Sequence, residues 1–301
     1  MSQWQFTLLV LQLCSKDTSE DGVALSDSVA IKRFVLKTNE CGTTPLIAAC
    51  SRGQADIVEL LLEHFPEEQV KVANKYGTTA LHAASHRGYV ACAKLLLAHV
   101  PDEQVRAMIT DGTTSLIIAA SRGYTDIVEL LLAHVPEEQV KVANNVGDTA
   151  LIAASSRDHV EIVKLLLAHS PEEQVRAGDK DGATALAYAA LQGRVDLAEV
   201  LLAHVPEEQV RVTIGNNFTP LMFAALRDHV EMMQLLLAHA SPLPVETRHA
   251  NLLTKIHVVI TDLAQLARVP ASLNRALHTA TIARHVETLV RMPGYKRSRD
   301  E

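Results

Sequence analysis

The sequence predicts an all-α solenoid: short helix pairs stacked on one another, joined by finger loops and closed at each end by helical caps. Three observations predict it. Gly42, Gly77, Gly112, Gly147 and Gly182 recur every 35 residues, with Asn217 in the sixth place. Each copy then carries Thr, a Pro, Ala or Ser, and Leu at the same offset. Finally, 48% of the 301 residues are apolar but only 4% are aromatic, a blend of small and straight-chain residues suited to closely packed helices. A fixed period of this length marks a repeat array. Stacked repeats bury together the apolar face that one repeat cannot bury alone.

Each repeat reads in order. The finger comes first, with Asp111-Gly112 and Asp181-Gly182 as turn signals. Thr44, Thr79, Thr114, Thr149, Thr184 and Thr219 are then N-caps, and the residue after each, Pro45 and Pro220 included, is the first helical position. Leu46 and its five equivalents anchor the core. Ala49, Ala84, Ala119, Ala154, Ala189 and Ala224 are always small, which predicts a face where two helices touch. Gly53, Gly88, Gly123 and Gly193 end the first helix as left-handed caps, while Asp158 and Asp228 stand there in repeats four and six and predict slightly strained turns. The second helix runs through Asp56–Leu62 and its equivalents. An acid sits in its first turn in five copies, Ala91 being the exception, and Ile57, Leu60 and Leu61 form its apolar stripe.

These residues resemble the ankyrin repeat. Gly42-Thr43-Thr44-Pro45-Leu46, then Gly53, then Ile57–Leu62 carry the resemblance, and Thr79-Ala80-Leu81-His82-Ala83-Ala84 is its fullest copy. It covers residues 39–240 as six repeats. The resemblance implies L-shaped units whose fingers and first helices form a concave groove that binds another protein. The cysteines, which show no disulfide pattern, point to a cytoplasmic setting, and the resemblance extends it to a host's cytosol because such repeats occur in proteins that intracellular bacteria deliver. Two departures stand out. The period is longer than usual, and Phe65-Pro66-Glu67-Glu68-Gln69-Val70 and its copies replace the Gly expected after the second helix. Pro followed by two acids predicts an added helical turn there.

Outside the array, residues 1–38 are read as an N-terminal cap and residues 241–301 as a C-terminal helical cap with a basic tail. Helices are expected at 246–268 and 271–291, separated by Pro270. The apolar run Phe6–Cys14 is too short to span a bilayer, and no Lys or Arg precedes it as a secretion signal would require. Ser272–Leu277 with Met292–Tyr295 faintly resembles the C-terminal box of ankyrin-type ubiquitin-ligase adaptors, although the expected Cys is absent. Tyr295–Arg299 offers a nuclear address or, more simply, a solvated tail.

Several patterns invite chemistry that the geometry does not favour. His64, His99, His134, His169, His204 and His239 form a column, but stacked helices lie about 8–10 Å apart and one zinc needs its ligands at about 2 Å. A helix-terminal histidine favoured by the dipole is the simpler account. The Glu67/Glu68 pair and its copies repeat with the scaffold and predict a solvated ridge. Arg52, Arg87, Arg122, Arg157 and Arg227 end the first helices, where the dipole accounts for them; as a row they could also clamp an acidic partner. Cys14, Cys41, Cys50 and Cys92 show no disulfide or zinc spacing. No phosphate loop, nucleophile elbow or metalloprotease motif is present. The net charge of −7 argues against a nucleic-acid binder.

The chain is therefore expected to be a protein–protein interaction scaffold or adaptor and not an enzyme. No cofactor, metal, membrane, nucleic acid or small-molecule substrate is expected. The alternatives are a ubiquitin-ligase substrate adaptor acting through the C-terminal helices, or an effector with activity in the terminal regions. With a fixed framework, the binding face is sought where the copies differ. The fingers differ at Lys75, Tyr76, Thr110, Asp111, Asn145, Val146, Lys180 and Asp181, and the first helices at His82, His86 and Ser121. Tyr76 is the leading single candidate, because exposed aromatics anchor interfaces.

Overall fold

The computed structural model describes residues 38–64, 70–99, 105–134, 140–214 and 218–240. The expected N-terminal cap, apart from its last residue Thr38, lies outside the described residues. So do Pro270 and the helices expected on either side of it, the ligase-type box, the basic tail, and the finger residues Gly215 and Asn216. Among the described residues every named element is an α-helix, and β-structure is limited to isolated bridges. The chain divides into two compact units between Lys180 and Asp181. This boundary falls within the span read from the sequence as one array, and each unit is described by itself.

The first unit holds α1 (Pro45–Arg52), α2 (Ala55–His64), α3 (Ala80–Arg87), α4 (Val90–His99), α5 (Ser115–Arg122), α6 (Thr125–His134), α7 (Ala150–Ser155), α8 (Val160–Leu167) and α9 (Pro171–Arg176). First helices α1, α3, α5 and α7 pack in succession, as do second helices α2, α4, α6 and α8. The Ala of each first helix makes the close approach possible: Ala49, Ala84, Ala119 and Ala154 are all at most 2% exposed. Each first helix begins at an extended Thr. The hydroxyls of Thr44, Thr79, Thr114 and Thr149 accept a backbone N–H three residues on, at 3.2 to 3.5 Å. Such a cap contributes about 1 kcal/mol.

The first helices end as the sequence implies. Gly53, Gly88 and Gly123 have φ between +71° and +80°. Each also lies under a ring from the next repeat: a Cβ at Gly53 would sit 2.6 Å from Tyr89, and one at Gly123 would sit 2.7 Å from His159. These positions therefore need glycine for two reasons, the backbone angle and the missing side chain. Repeat four has no such glycine. There α7 stops at Ser155, and Asp158 takes the left-handed angle at φ +64°. Arg157 consequently lies beyond the end of α7 rather than inside it.

The second helices depart from the expected stripe by one position. In α6 the buried residues are Ile127, Val128, Leu131 and Leu132, while Leu130 is half-buried. In α2 the buried ones are Val58, Leu61 and Leu62, with Ile57 and Leu60 half-buried. The stripe faces two neighbours, the first helix of its own repeat and the second helices stacked beside it, so its centre shifts toward both.

The added turn after the second helix is present as α9. Its Gln174 is 2% exposed, and the side-chain Nε2 donates to the Leu166 carbonyl at 2.6 Å and to the His169 carbonyl. The Leu166 carbonyl, at the end of α8, also accepts the His169 N–H at 3.0 Å, so Gln174 adds a second donor there and ties His169 to it. This corrects the reading of the histidine column. His99 and His134 do close α4 and α6, but α8 stops at Leu167, and His169 serves through its backbone carbonyl. Glu172 and Glu173 are exposed, as a solvated ridge requires, and Glu173 pairs with Lys141 at 2.6 Å.

The second unit holds α10 (Ala185–Gln192), α11 (Val195–Leu202), α12 (Pro206–Arg211), α13 (Pro220–Leu226) and α14 (Val230–His239). It repeats the same devices: α10 packs on α13, α11 packs on α14, and Gln209 Nε2 donates to the Leu201 and His204 carbonyls. His239 closes α14, while α11 stops at Leu202 before His204. Thr184 is extended like the other caps but makes no side-chain cap hydrogen bond.

Candidate functional site

The fingers of the first unit are rigid for local reasons. In repeat two, Asn74 Oδ1 accepts the N–H groups of Tyr76 at 2.9 Å and Thr78 at 3.0 Å. Asn144 does the same for Val146 at 3.0 Å and Asp148 at 2.9 Å. Ile109 stands at that position in repeat three, and Asp111 takes over by accepting the Thr113 N–H at 2.9 Å. Short Asn and Asp side chains hold turns in this way.

The fingers are also tied to each other. The Lys75 N–H donates to the Cys41 carbonyl at 3.0 Å, Thr110 to Tyr76 at 3.0 Å, Asn145 to Asp111 at 2.7 Å, and Lys180 to Val146 at 3.0 Å. Asn145 Nδ2 adds a bond to the Thr110 carbonyl at 3.3 Å. Seven of the residues singled out from the sequence, Lys75, Tyr76, Thr110, Asp111, Asn145, Val146 and Lys180, thus stand on one backbone ladder. All seven are exposed, Tyr76 at 60% and Val146 at 57%. Asp181 is exposed and belongs to the second unit.

The first-helix candidates separate. His86 is exposed and Ser121 is half-buried. His82 is a correction: it is 1% exposed and offers a partner nothing. Its Nδ1 lies 2.8 Å from Thr79 Oγ1 and accepts the Thr79 N–H at 3.3 Å, completing a capping box. The side chain turns inward to meet its own N-cap, so His82 belongs to the framework.

Between the fingers and first helices of repeats two to four lies an open depression of about 260 Å³. His86, Ser121, Arg122, Asp148, Ser156 and Arg157 line it. Arg122 Nη2 donates to His86 Nε2 at 2.5 Å. Burial, then the charges of Arg122 and Arg87, hold the His86 imidazole below its usual pKa. The ring is therefore neutral at neutral pH and keeps a lone pair for Arg122. Asp148 is pushed the other way, above the usual carboxylate range, first by burial and then by Asp179, partly offset by a hydrogen bond from Asn144.

The arrangement can bind and orient a polar chain, with two guanidiniums, hydroxyls and a carboxylate among its lining side chains. Among the described residues no group of three His, Cys, Asp or Glu could hold a metal ion. Asp148 was not singled out from the sequence. The available signal was its place in the register, where Thr43, Thr78 and Thr113 stand in the first three repeats. The ladder left no side-chain signature at all, because its donors and acceptors are backbone groups.

A family model for ankyrin repeats, in three copies, matches residues 23–107, 69–142, 100–176, 116–212 and 172–246. No curated protein matches the chain.

Proposed function

The chain belongs to the ankyrin-repeat family, whose members are generally protein–protein interaction modules, and from that membership we propose that it is a scaffold or adaptor that captures a partner protein on the finger and first-helix face of its first unit. The observation that carries this reading is the finger ladder. A backbone tied at four rungs presents Lys75, Tyr76, Thr110, Asp111, Asn145 and Val146 outward in a row. A backbone held this way has already lost part of the freedom that binding would otherwise cost the loops. Tyr76 and Val146 supply apolar contact and the polar residues between them supply register. Ankyrin repeats are typically non-enzymatic, and the role proposed here requires no catalysis.

We also propose a reducing, cytosolic setting. Cys41, Cys50 and Cys92 are free thiols, as that compartment favours. Among the described residues no helix is long and apolar enough to cross a membrane.

The test is a quantitative pull-down from cell lysate with the intact chain and with a Lys75→Ala/Tyr76→Ala/Asp111→Ala variant, after circular dichroism shows equal helicity. Loss of a specific partner from the variant supports the ladder as the binding face. Retention of the same partner removes that face from consideration.

A further inference from the structure

We infer that the partner segment seated on this face is an extended acidic peptide, held by its carboxylates on Arg122 and Arg157; this rests on the protein-binding reading above and specifies its ligand. The first helices of the first unit contain no Asp or Glu, and each is closed or followed by an arginine: Arg52, Arg87, Arg122 and Arg157, all exposed. The acids lie on the second helices instead, with Asp56, Glu59, Asp126, Glu129 and Glu161 exposed. A chain whose net charge is −7 thus keeps a cationic row on the side that carries the depression. Among the described residues neither Arg122 nor Arg157 pairs with a carboxylate. Arg122 uses one of its donors on neutral His86, which leaves its charge uncompensated and the rest of its fork open. An arginine fork matches a carboxylate with two parallel hydrogen bonds.

The length of the segment follows from the stacking. Tyr76 and Val146 are two repeats apart, about 16–20 Å at ordinary helix spacing. An extended chain covers that distance in about five or six residues. A nucleic acid fits less well: a long polyanion would also meet the acidic second helices, and Asp148 stands inside the depression. Asp148 is the acid that lines the depression itself, beside Arg122 and Arg157, and opposes an acidic ligand there, so it provides a variant in which binding should improve.

The experiment selects binders for the intact chain from a displayed library of random peptides of about twelve residues, twice the required span. The expected winners are rich in Asp and Glu beside an apolar residue, and they weaken as salt rises. Synthetic copies should lose affinity by about tenfold or more on an Arg122→Gln/Arg157→Gln variant that keeps its helicity. They should bind more tightly to Asp148→Thr, the residue found at the equivalent position in three other repeats; a gain cannot arise from misfolding. Winners without acidic enrichment, or acidic winners indifferent to these variants, overturn the arginine assignment. If such winners still lose affinity on Lys75→Ala/Tyr76→Ala/Asp111→Ala, the protein-binding reading stands without it. Equal competition by a single-stranded oligonucleotide overturns it in favour of general polyanion binding. A library that yields no binder counts against both readings.

Discussion

Nδ1 of His82 lies 2.8 Å from Thr79 Oγ1, inside the framework of repeat two. Burial holds this imidazole down to about 4, against 6.5 for a free histidine, despite the nearby Thr113 and Ala107 backbone and the Asp111 charge, which favour the proton. The unfolded chain therefore binds a proton between those two values that the folded chain does not. Stability is complete above pH 6.5 and falls as pH drops toward 4, by roughly 3 kcal/mol from this group. Urea unfolding at pH 7 and pH 4.5 should show the loss. A His82→Ile variant, carrying the residue found at 47, 117 and 152, should show a smaller one.

Gln174 bridges α9 to the end of α8, its side-chain amide donating to both the Leu166 and the His169 carbonyl. Gln174→Ala removes this donor from both carbonyls, while Leu166 keeps its bond from the His169 N–H, and should cost about 1 kcal/mol. Gln174→Glu removes the donor and buries a carboxylate, so its cost should be larger near neutral pH than in acid. Chemical denaturation of both variants at two pH values checks the order.

The finger glycine Gly147 should not tolerate alanine. At Gly147, φ is +92° and an added Cβ would lie 2.6 Å from the Lys180 nitrogen, on the last rung of the ladder. The left-handed backbone alone would cost alanine about 1–2 kcal/mol, and the close approach makes Gly147→Ala cost more than that. Amide hydrogen exchange at Lys180 should rise in this variant.

Thiol chemistry should distinguish the cysteines. Cys41 is exposed on its finger, whereas Cys50 and Cys92 are 0% exposed. The Cys50 thiol is pushed well above its usual range, first by its hydrogen bond with Cys92 and then by burial. Maleimide labelling followed by peptide mapping should modify Cys41 in the native chain, and Cys50 only on denaturation. Rapid native labelling of Cys50 would mean that α1 opens readily.

What the sequence determined by itself is the repeated architecture. Register, caps and turn residues are local: Thr44 meets an amide three residues on, Gly88 sets its own φ, and Pro171 starts the added turn. Periodicity also separated framework from variable positions, and the finger residues it singled out in the first unit are exposed. Tertiary structure decided what those positions amount to. Whether a variable residue is presented or buried depends on the direction its side chain takes, and His82 turned inward to its own cap. The ladder from Cys41 to Lys180 depends on backbone groups that every residue carries, so no residue type announces it. The depression lined by His86, Arg122, Asp148 and Arg157 depends on stacking residues from three repeats. Their shared charge balance exists only once those helices lie side by side.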